Sequence, residues 1–287
     1  MIDILNQALQ ALMLGGLYAM FALGLSVSVG VLRFVNVAHG DMIVLLSFLF
    51  MSLVQSLGVP VLVAALLTVP AGMGFGWVLQ RGVLQRAANL GELQVILVTF
   101  GLSIVIQNVL LAGFGADPRK VSLGGLEAQS IPLAAGVNVG IVPLLIVVAA
   151  IVLIYLLDRI LHHTAIGVAI RAVADSNAAA RLNGLPVNKL FAAAMAIVGI
   201  TVAVAGDFMA VWTNFDPSSG PSRLLIAFEV VVLAGLGSYW GVLLAGILIA
   251  MAQTIGASID SAYQVVGGHV MFLILFLIRP NGLFPKI

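Results

Sequence analysis

Residues 42–80 read MIVLLSFLFMSLVQSLGVPVLVAALLTVPAGMGFGWVLQ and contain no Asp, Glu, Lys or Arg. A helix of about 20 predominantly apolar residues is long enough to cross the hydrocarbon core of a bilayer. We therefore place two membrane helices in this run, near residues 41–57 and 60–80. The run decides the fold class, because soluble domains do not carry uncharged apolar segments of this length.

Further runs without a charged residue cover 4–32, 93–116, 128–157, 230–259 and 261–278. The composition agrees, since 62% of residues are hydrophobic, 8% are charged and the mean hydropathy is +1.21. Strands cross membranes only as closed barrels built from short segments of alternating polarity. These runs are long and apolar on every face, so the sequence predicts an all-α polytopic membrane bundle.

Within these other runs we place helices near residues 9–30, 92–114, 139–158, 190–212, 224–237, 241–258 and 262–279. The segments between 224 and 258 are short, and the glycine-rich stretch 233–241 separates them. They are either two tilted spans or a discontinuous pair that dips to mid-membrane. The prediction is about eight transmembrane helices, or nine segments with the discontinuous pair, in a single domain covering residues 1–287.

The orientation follows from Lys and Arg, which concentrate in cytoplasmic loops. With the N-terminus outside and the C-terminus in the cytoplasm, most of the basic residues are cytoplasmic, namely Arg33, Arg81, Arg86, Arg159, Arg171, Arg181, Lys189, Arg279 and Lys286. Only Arg119, Lys120 and Arg223 then lie outside. The first residues lack a basic region, so we expect the first helix to be retained rather than cleaved. The net charge of +1 gives no indication of a nucleic-acid partner.

The longest polar segment is the insert 159–189, which the orientation places in the cytoplasm. Thr164 is positioned to cap a helix over 165–174, in which Arg171 lies one turn before Asp175. Ser176 or Asn177 is positioned to cap a second short helix over 178–182, which Gly184 ends before Pro186. Asn188 is then expected to cap the next membrane helix.

Small side chains in the insert would let another protein approach closely, and Ala178 to Ala180 are the expected contact face. The alternative interpretation is an ordinary amphipathic connector, and spacing alone does not separate the two. The pattern in the insert resembles the cytoplasmic loop by which permeases of ABC importers dock into their ATPase subunits. The residues that carry this resemblance are Gly167, Arg171, Ala172, Asp175, Asn177, Ala180 and Gly184.

Other segments resemble LivH-type permeases of branched-chain amino-acid transport, almost from end to end. They are Gly15-Gly-Leu-Tyr-Ala-Met-Phe-Ala-Leu-Gly24, Asn36-Val-Ala-His-Gly-Asp41, Thr99-Phe-Gly-Leu-Ser103 with Gln107-Asn108, Leu236-Gly-Ser238 and Arg279-Pro-Asn-Gly282. The resemblance implies a second, LivM-like permease, two ABC ATPase subunits and a periplasmic or extracellular substrate-binding protein. It also implies a multi-pass protein of the bacterial inner membrane that carries branched-chain amino acids or a related small polar solute. The docking residues would be Gly167, Arg171, Ala172, Asp175, Asn177, Ala178, Ala179, Ala180 and Gly184.

The chain shows no motor of its own. A phosphate-binding P-loop needs Gly-Lys-Ser/Thr at the start of a helix, whereas Lys120, Lys189 and Lys286 follow Arg119, Asn188 and Pro285. We therefore expect a permease subunit that is not itself an enzyme and needs no cofactor, with ATP hydrolysed by partner subunits. The alternative is an ion-coupled secondary transporter, for which Glu229 is the candidate ion-binding carboxylate.

Polar residues at the junction of the first two helices form the candidate translocation path: Asn36, His39, Gly40 and Asp41, to which we add Glu229 from the seventh helix. Asp41 is suited to cap the second helix. Asn36, His39 and Asp41 either form a capped cytoplasmic hairpin beside Arg33 or belong to a broken segment that lines the path.

Ionised side chains at mid-membrane cost about 2.5–3.5 kcal/mol on insertion scales, so buried carboxylates usually have partners. Glu229 is expected to reach Arg223 at the outer interface, with a cavity position as the alternative, and Asp207 also lies inside a predicted span. His269 is interpreted as a packing contact, and no metal site is expected, because no second His or Cys stands at ligand spacing.

Two further features have structural interpretations. The glycines at 72, 74 and 76, and those between 16 and 24, are expected to let helices approach closely. Gln107 and Asn108 are expected to donate hydrogen bonds between helices, with pore lining as the alternative. Residues 116–137 are either a contact for the binding protein or only a loop.

Overall fold

The computed structural model describes residues 2–134 and 137–284 and confirms a polytopic helical membrane protein. Seven of its helices are long and apolar enough to cross a membrane. The helices are α1 (Ile2–Val27), α2 (His39–Met51), α3 (Val61–Leu79), α4 (Gln85–Ala88), α5 (Glu92–Phe114), α6 (Ile141–His163), α7 (Ala165–Asp175), α8 (Asn177–Leu182), α9 (Val187–Trp212), α10 (Gly220–Ala234), α11 (Tyr239–Ile259) and α12 (Tyr263–Ile278). Single π-helical turns extend α1 to Leu32, α2 to Ser56 and α3 to Leu84. Lys286 lies outside the described residues.

Helix α1 is the centre of the bundle and contacts α6, α9, α10 and α11. Its side chains from Leu17 to Val27 are almost all fully buried. The contact with α11 depends on Gly15, because a Cβ built there would lie 2.5 Å from the Cα of Ile247. Small residues permit such close approaches where lipid supplies no hydrophobic driving force.

Helices α3 and α9 form a second close pair. A Cβ at Gly72 would lie 2.4 Å from the Gly199 carbonyl oxygen, and one at Gly76 would lie 2.2 Å from that of Met195. Gly74, by contrast, has nothing within 4 Å of its Cβ position, so it faces away from α9. The expected packing role is therefore confirmed for Gly72 and Gly76 and is wrong for Gly74.

The peripheral helices α3, α5, α6 and α12 expose many large apolar side chains, as helices facing lipid or a membrane partner do. Outside the bundle, β1 (Ser130–Ala134) and β2 (Val137–Gly140) form an antiparallel hairpin within the long connection that precedes α6. The same connection is tied to the end of α9 by backbone hydrogen bonds in both directions between Arg119 and Phe215. The predicted loop is thus partly folded, and its proposed contact with a binding protein stays a prediction.

Two non-helical segments enter the bundle, and we call residues 33–38 the first re-entrant segment and residues 213–219 the second re-entrant segment. The first follows α1 and leads to α2, and the second follows α9 and leads to α10. Arg33 begins the first segment with a φ of 58°, a left-handed conformation that a residue with a Cβ rarely adopts. The chain therefore reverses sharply at the end of α1 and turns back into the bundle.

The irregular backbone in this part of the chain lies before α10 rather than between α10 and α11. The expected discontinuity was between α10 and α11, but α10 already begins at Gly220 and has 15 residues, whereas α11 has 21 and is long enough to span. The irregular backbone that enters the bundle is 213–219, before α10. Glycine-rich turns at Gly235 and Gly237, both with positive φ, join the two helices.

Two capping predictions are wrong. Helix α9 begins at Val187, with Pro186 as its N-terminal cap, so Asn188 lies inside the helix rather than capping it. Helix α2 begins at His39, so Asp41 lies in its first turn and caps nothing with its side chain. In both cases the helix starts before the polar side chain, at Val187 after Pro186 and at His39 after Ala38.

Candidate functional site

The first candidate site is the junction where α2 and α10 begin. The Nε2–H of His39 donates to the carbonyl oxygen of Phe21 at 2.8 Å, and His39 is fully buried. About 16 Å of helix separate Phe21 from the end of the α1 segment at Leu32. The start of α2 therefore lies near mid-membrane, which supports a broken segment and makes the capped cytoplasmic hairpin wrong.

Asn36 fixes the turn that leads into α2. Its Oδ1 accepts from the backbone N–H of Ala38 at 3.1 Å, and its amide group contacts the sulfur of Met42 at 3.3 Å. The neighbouring N–H of Val37 donates to the Thr99 hydroxyl on α5 at 3.2 Å. Irregular backbone at membrane depth needs such partners, because no water is available there to satisfy it.

The closest approach in the junction is between Gly40 and Gly220. A Cβ at Gly40 would lie 2.0 Å from the carbonyl oxygen of Gly220 and 2.8 Å from the backbone nitrogen of Leu224. A Cβ at Gly220 would lie 2.0 Å from the Asp41 carboxylate oxygen Oδ1. Both glycines are therefore required by space, and the first turns of α2 and α10 touch through their backbones.

Asp41 is the polar side chain at this contact. It is 1% exposed, and its Oδ1 accepts from the Nε2 of Gln107 at 2.9 Å. Gln107 also donates to the hydroxyl of Ser103, one turn earlier on α5, at 3.1 Å. The other carboxylate oxygen of Asp41 has no hydrogen-bond partner among the described residues. Gln107 thus acts as the predicted interhelical donor, whereas Asn108 donates only to Ile104 of its own helix.

Glu229 does not pair with Arg223, so the expected partner is wrong. The Glu229 side chain is buried, and its Oε1 lies 2.5 Å from the Nδ1 of His269 on α12. Arg223 turns the other way, donates to the carbonyl oxygen of Asn214 at 3.4 Å and lies over the ring of Phe21. His269 is therefore the polar contact that was predicted, with Glu229 as its partner. Among residues 2–134 and 137–284, no group of three potential metal ligands comes together.

Asp207 is a second buried carboxylate, and it lies between α9 and α3. Its Oδ2 is 2.7 Å from the hydroxyl of Thr68, which also lies 2.9 Å from the carbonyl oxygen of Ala65. A threonine hydroxyl has only one proton to donate. The hydroxyl therefore donates to one of these two oxygens at a time, and it links α3 to α9 when it donates to Asp207.

The second candidate site is the insert between α6 and α9. The Thr164 hydroxyl accepts from the N–H of Gly167 at 3.1 Å and caps α7, as predicted. The Ser176 hydroxyl accepts from the N–H of Ala179 at 3.2 Å and caps α8, which leaves Asn177 as its first helical residue. Gly184 follows α8 with a φ of +75°, the left-handed conformation expected after a helix end.

The insert is fixed to the end of α6. The Nε of Arg171 donates to the carbonyl oxygen of Leu161 at 2.9 Å, so Arg171 binds the C-terminal end of α6 and does not pair with Asp175. A Cβ at Gly167 would lie 2.1 Å from the carbonyl oxygen of Ile160, which explains a glycine at this position. A cation at a helix C-terminus is also favoured by the helix dipole.

The exposed surface of the insert differs from the predicted contact face in one residue. Ala180 is 4% exposed and packs with Val173 and Val187 in a small core inside the insert. Ala172, Asp175, Asn177, Ala178 and Ala179 are exposed, as is Leu182 at 90%.

A cavity of about 670 Å³ lies between the insert and the bundle. Its walls come from the end of α1 and the segment that follows, from the start of α5, from α7 and from the turn before α11, and include Arg33, Glu92, Arg171, Asp175 and Tyr239. The cavity therefore opens at the end of the bundle that carries the insert. The chain that leaves it, residues 33–38, leads directly to the junction of α2 and α10.

The sequence interpretation missed Gly220, Gln107 as the partner of Asp41, and Asp216 in the second re-entrant segment. A signal for that segment was present in Asp216-Pro-Ser-Ser-Gly220-Pro221, a dense group of turn-forming residues between two helices. No comparable signal marks the pairing of Gln107 with Asp41, because the two residues are brought together only by the fold.

Comparison with known proteins adds an independent finding. The sequence model of the family described as "Branched-chain amino acid transport system / permease component" matches residues 7–278. The permease protein BraD of a high-affinity branched-chain amino acid transport system from Pseudomonas aeruginosa is 24% identical, over 98% of this chain and 96% of its own length. The corresponding Escherichia coli K12 protein LivH is 23% identical over the same shares. LsrD, a permease protein of an autoinducer 2 import system from Yersinia pseudotuberculosis, is 28% identical over 84% of this chain and 74% of its own length. No solved structure matches.

Proposed function

Because the chain belongs to the family of permease components of branched-chain amino acid transport systems, we propose that it is the membrane-spanning subunit of an ABC importer for branched-chain amino acids. Its partners are two ATPase subunits, a second, LivM-like permease and a soluble substrate-binding protein outside the cell. Its place is the inner membrane of a bacterial cell, with the N-terminus outside and the C-terminus in the cytoplasm. Relatives that import branched-chain amino acids match over nearly the whole chain, which favours this solute class over autoinducer 2.

The observation that carries this proposal is the folded insert. Two capped helices, an internal core around Ala180 and a glycine contact with α6 make the insert a rigid unit rather than a flexible connector. A rigid unit transmits the movement of a bound partner to the membrane helices. The exposed residues between Ala172 and Ala179 offer small side chains to such a partner. We assign this surface, with Gly167, Arg171, Ala180 and Gly184 as its supports, to ATPase docking.

The insert adjoins the first re-entrant segment, which gives a short route from the docking surface to the junction. Helix α7 contacts the π-helical turn at the end of α1, and residues of both line the cytoplasmic cavity. When ATP closes the two ATPase subunits, movement of the insert shifts residues 33–38 and with them the start of α2. The contact of Gly40 with Gly220 then opens or closes, which changes access between the two sides.

The translocation path is assigned to the surface around this junction. Asn36, His39, Gly40 and Asp41 shape the constriction rather than an open cavity, since all four are buried. Glu229 lies on α10 and joins this helix to α12 by its contact with His269. A zwitterion passing here meets backbone groups and polar side chains that replace part of its hydration shell.

The first experiment separates an ATP-driven importer from an ion-coupled carrier. The complete transporter in proteoliposomes, with ATP inside the cytoplasmic compartment and no ion gradient, is expected to accumulate a branched-chain amino acid when the binding protein is present. Uptake that requires a proton or sodium gradient and ignores ATP would make the proposal wrong.

The second experiment tests the docking surface with a matched pair of variants. Ala179→Trp places a large side chain on the exposed face, whereas Ala165→Trp makes the same change at an exposed position in the first turn of α7. We expect Ala179→Trp to abolish uptake and co-purification of the ATPase while membrane insertion is kept, and Ala165→Trp to retain both. Normal uptake in Ala179→Trp would remove the insert from the docking assignment.

A further inference from the structure

A second, smaller cavity of about 140 Å³ lies on the outward side of the junction, between α5 and the second re-entrant segment. Polar groups from both elements line it, namely Gln107, Asn108, Asp216 and Ser218. Gln107 connects this cavity to the junction, because the same side chain also donates to Asp41. None of the residues contributed by the re-entrant segment belongs to the path proposed above.

The depth of this cavity shows that it does not face lipid. About 10 Å of helix separate Gln107 from the outer end of α5 at Phe114, so the cavity lies between mid-membrane and the outer boundary. Asn108, Asn214 and Ser218 are exposed there, and residues 213–219 are not helical. Exposed irregular backbone at membrane depth occurs only where it meets protein or water. The cavity also reaches Ala116, just beyond the outer end of α5, so this side of the chain faces either water or the second permease rather than lipid.

Asp216 supplies a fixed negative charge to the cavity. The backbone N–H of Ser218 donates to its Oδ1 at 2.8 Å, and the hydroxyl of Ser219 donates to its Oδ2 at 2.8 Å. The Ser218 hydroxyl donates to Oδ1 as well. Three donors to one carboxylate favour its ionised form and hold it in place. Arg223 is near enough to interact electrostatically with Asp216, but its guanidinium contacts the Asn214 carbonyl oxygen and the ring of Phe21 and does not line the cavity.

We propose that this cavity is an entry site on the outward side of the path, and that Asp216 receives the ammonium group of a zwitterionic or cationic solute there. Asn108 provides an amide group for the polar remainder of the solute, whereas both N–H groups of Gln107 already donate to Asp41 and Ser103. The site disfavours anions, since a solute with only a carboxylate meets the Asp216 charge in a cavity whose lining contains no cation. The inference rests on the proposed function for its direction of transport, and the charge of the site is tested separately below.

The sequence contains no cysteine, so a single introduced thiol reports on one place. In the assembled transporter with a cysteine-free partner background, Asn108→Cys is labelled from outside with methanethiosulfonate reagents of opposite charge. We expect the cationic ethyltrimethylammonium reagent to react about 3- to 10-fold faster than the anionic ethylsulfonate reagent, after correction for their intrinsic rates, because of the nearby carboxylate. Asp216→Asn keeps an oxygen acceptor and is expected to remove most of this preference.

Two references keep the labelling result unambiguous. Ser130→Cys, exposed in the outer hairpin, is expected to show a smaller preference that does not respond to Asp216→Asn. If Asp216→Asn does not assemble, the preference at Asn108→Cys relative to Ser130→Cys still decides the question. Lack of outside labelling at Asn108→Cys, or equal rates for both reagents there, would overturn the proposal.

A transport measurement tests whether the charge acts on the solute. Asp216→Asn is expected to raise the KM for the amino acid several-fold with a smaller change in kcat. The control variant is Glu127→Gln in the outer loop. Hydrogen bonds from the Ser122 hydroxyl and from backbone N–H groups lower the pKa of the Glu127 carboxyl. Unchanged KM in Asp216→Asn would contradict the entry site. Failure of ATP-driven uptake in the unmodified protein would instead contradict the proposed function, and the labelling preference would remain interpretable.

Discussion

The cytoplasmic insert and the mid-membrane junction are built by opposite means. Nearly every hydrogen bond that shapes the insert joins residues within about ten positions of each other, such as Ser176 with Ala179 and Arg171 with Leu161. The junction joins residues far apart in sequence, such as Gly40 with Gly220 and Asp41 with Gln107. The difference teaches that local rules describe the proposed docking surface, whereas long-range packing forms the proposed constriction of the path.

The largest effect on uptake is expected at the contact between Gly40 and Gly220, where there is no space for an added Cβ atom. Gly40→Ala places a Cβ 2.0 Å from the Gly220 carbonyl oxygen, so the first turns of α2 and α10 must separate. We expect uptake to fall to background, with less assembled complex recovered from membranes. Gly74→Ala is the control, because nothing lies within 4 Å of its Cβ position and uptake should be kept. Equal uptake in both variants would break the proposed role of the contact.

The next effect concerns the contact between Glu229 on α10 and His269 on α12. His269→Ala leaves the buried Glu229 carboxylate without its half-buried partner, and a buried polar group without its hydrogen-bond partner costs about 1–3 kcal/mol. The thermal midpoint of the purified complex is therefore expected to fall by several degrees. The double variant Glu229→Gln with His269→Ala should recover part of the loss, because no unpaired charge remains. Equal midpoints for the single and double variants would contradict an ionised Glu229.

A smaller effect is expected at Asp41. Asp41→Asn keeps an oxygen that accepts from Gln107, whereas Asp41→Leu removes it and leaves the amide of Gln107 without that acceptor. Loss of a buried hydrogen-bond partner costs about 1–3 kcal/mol. We expect several-fold slower uptake in Asp41→Leu and a change of less than about threefold in Asp41→Asn. The reverse order would show that the charge, rather than the hydrogen bond, is what the junction needs.

The smallest effect belongs to the insert. Ser176→Ala removes the side-chain cap of α8, which typically costs about 1 kcal/mol. Most molecules should remain folded, so substrate-stimulated ATP hydrolysis is expected to decrease by less than half. Ser176→Asp retains a capping acceptor and should restore it. A complete loss of ATPase coupling in Ser176→Ala would mean that the serine itself contacts the ATPase.

The same contrast accounts for what the sequence predicted. The uncharged runs predicted the membrane helices, and the capping residues predicted the helices of the insert, because both signals come from residues close together in the sequence. The predicted partner of Glu229 was the cation one to two turns away, and it was wrong because His269 arrives from another helix. Ala180 was assigned to the surface although Val187 covers it, since burial within so small a unit depends on how the chain returns after Gly184.

The short length of α10 has a consequence for how the protein is made. With 15 residues, α10 falls short of the about 20 that a helix needs to cross a bilayer, and it begins against Gly40 rather than at a membrane surface. It therefore lacks a stable position in the membrane until α1 and α2 are already in place. Because α10 contacts both α1 and α2, the packing of these first two helices is completed only after the last third of the chain has been synthesised.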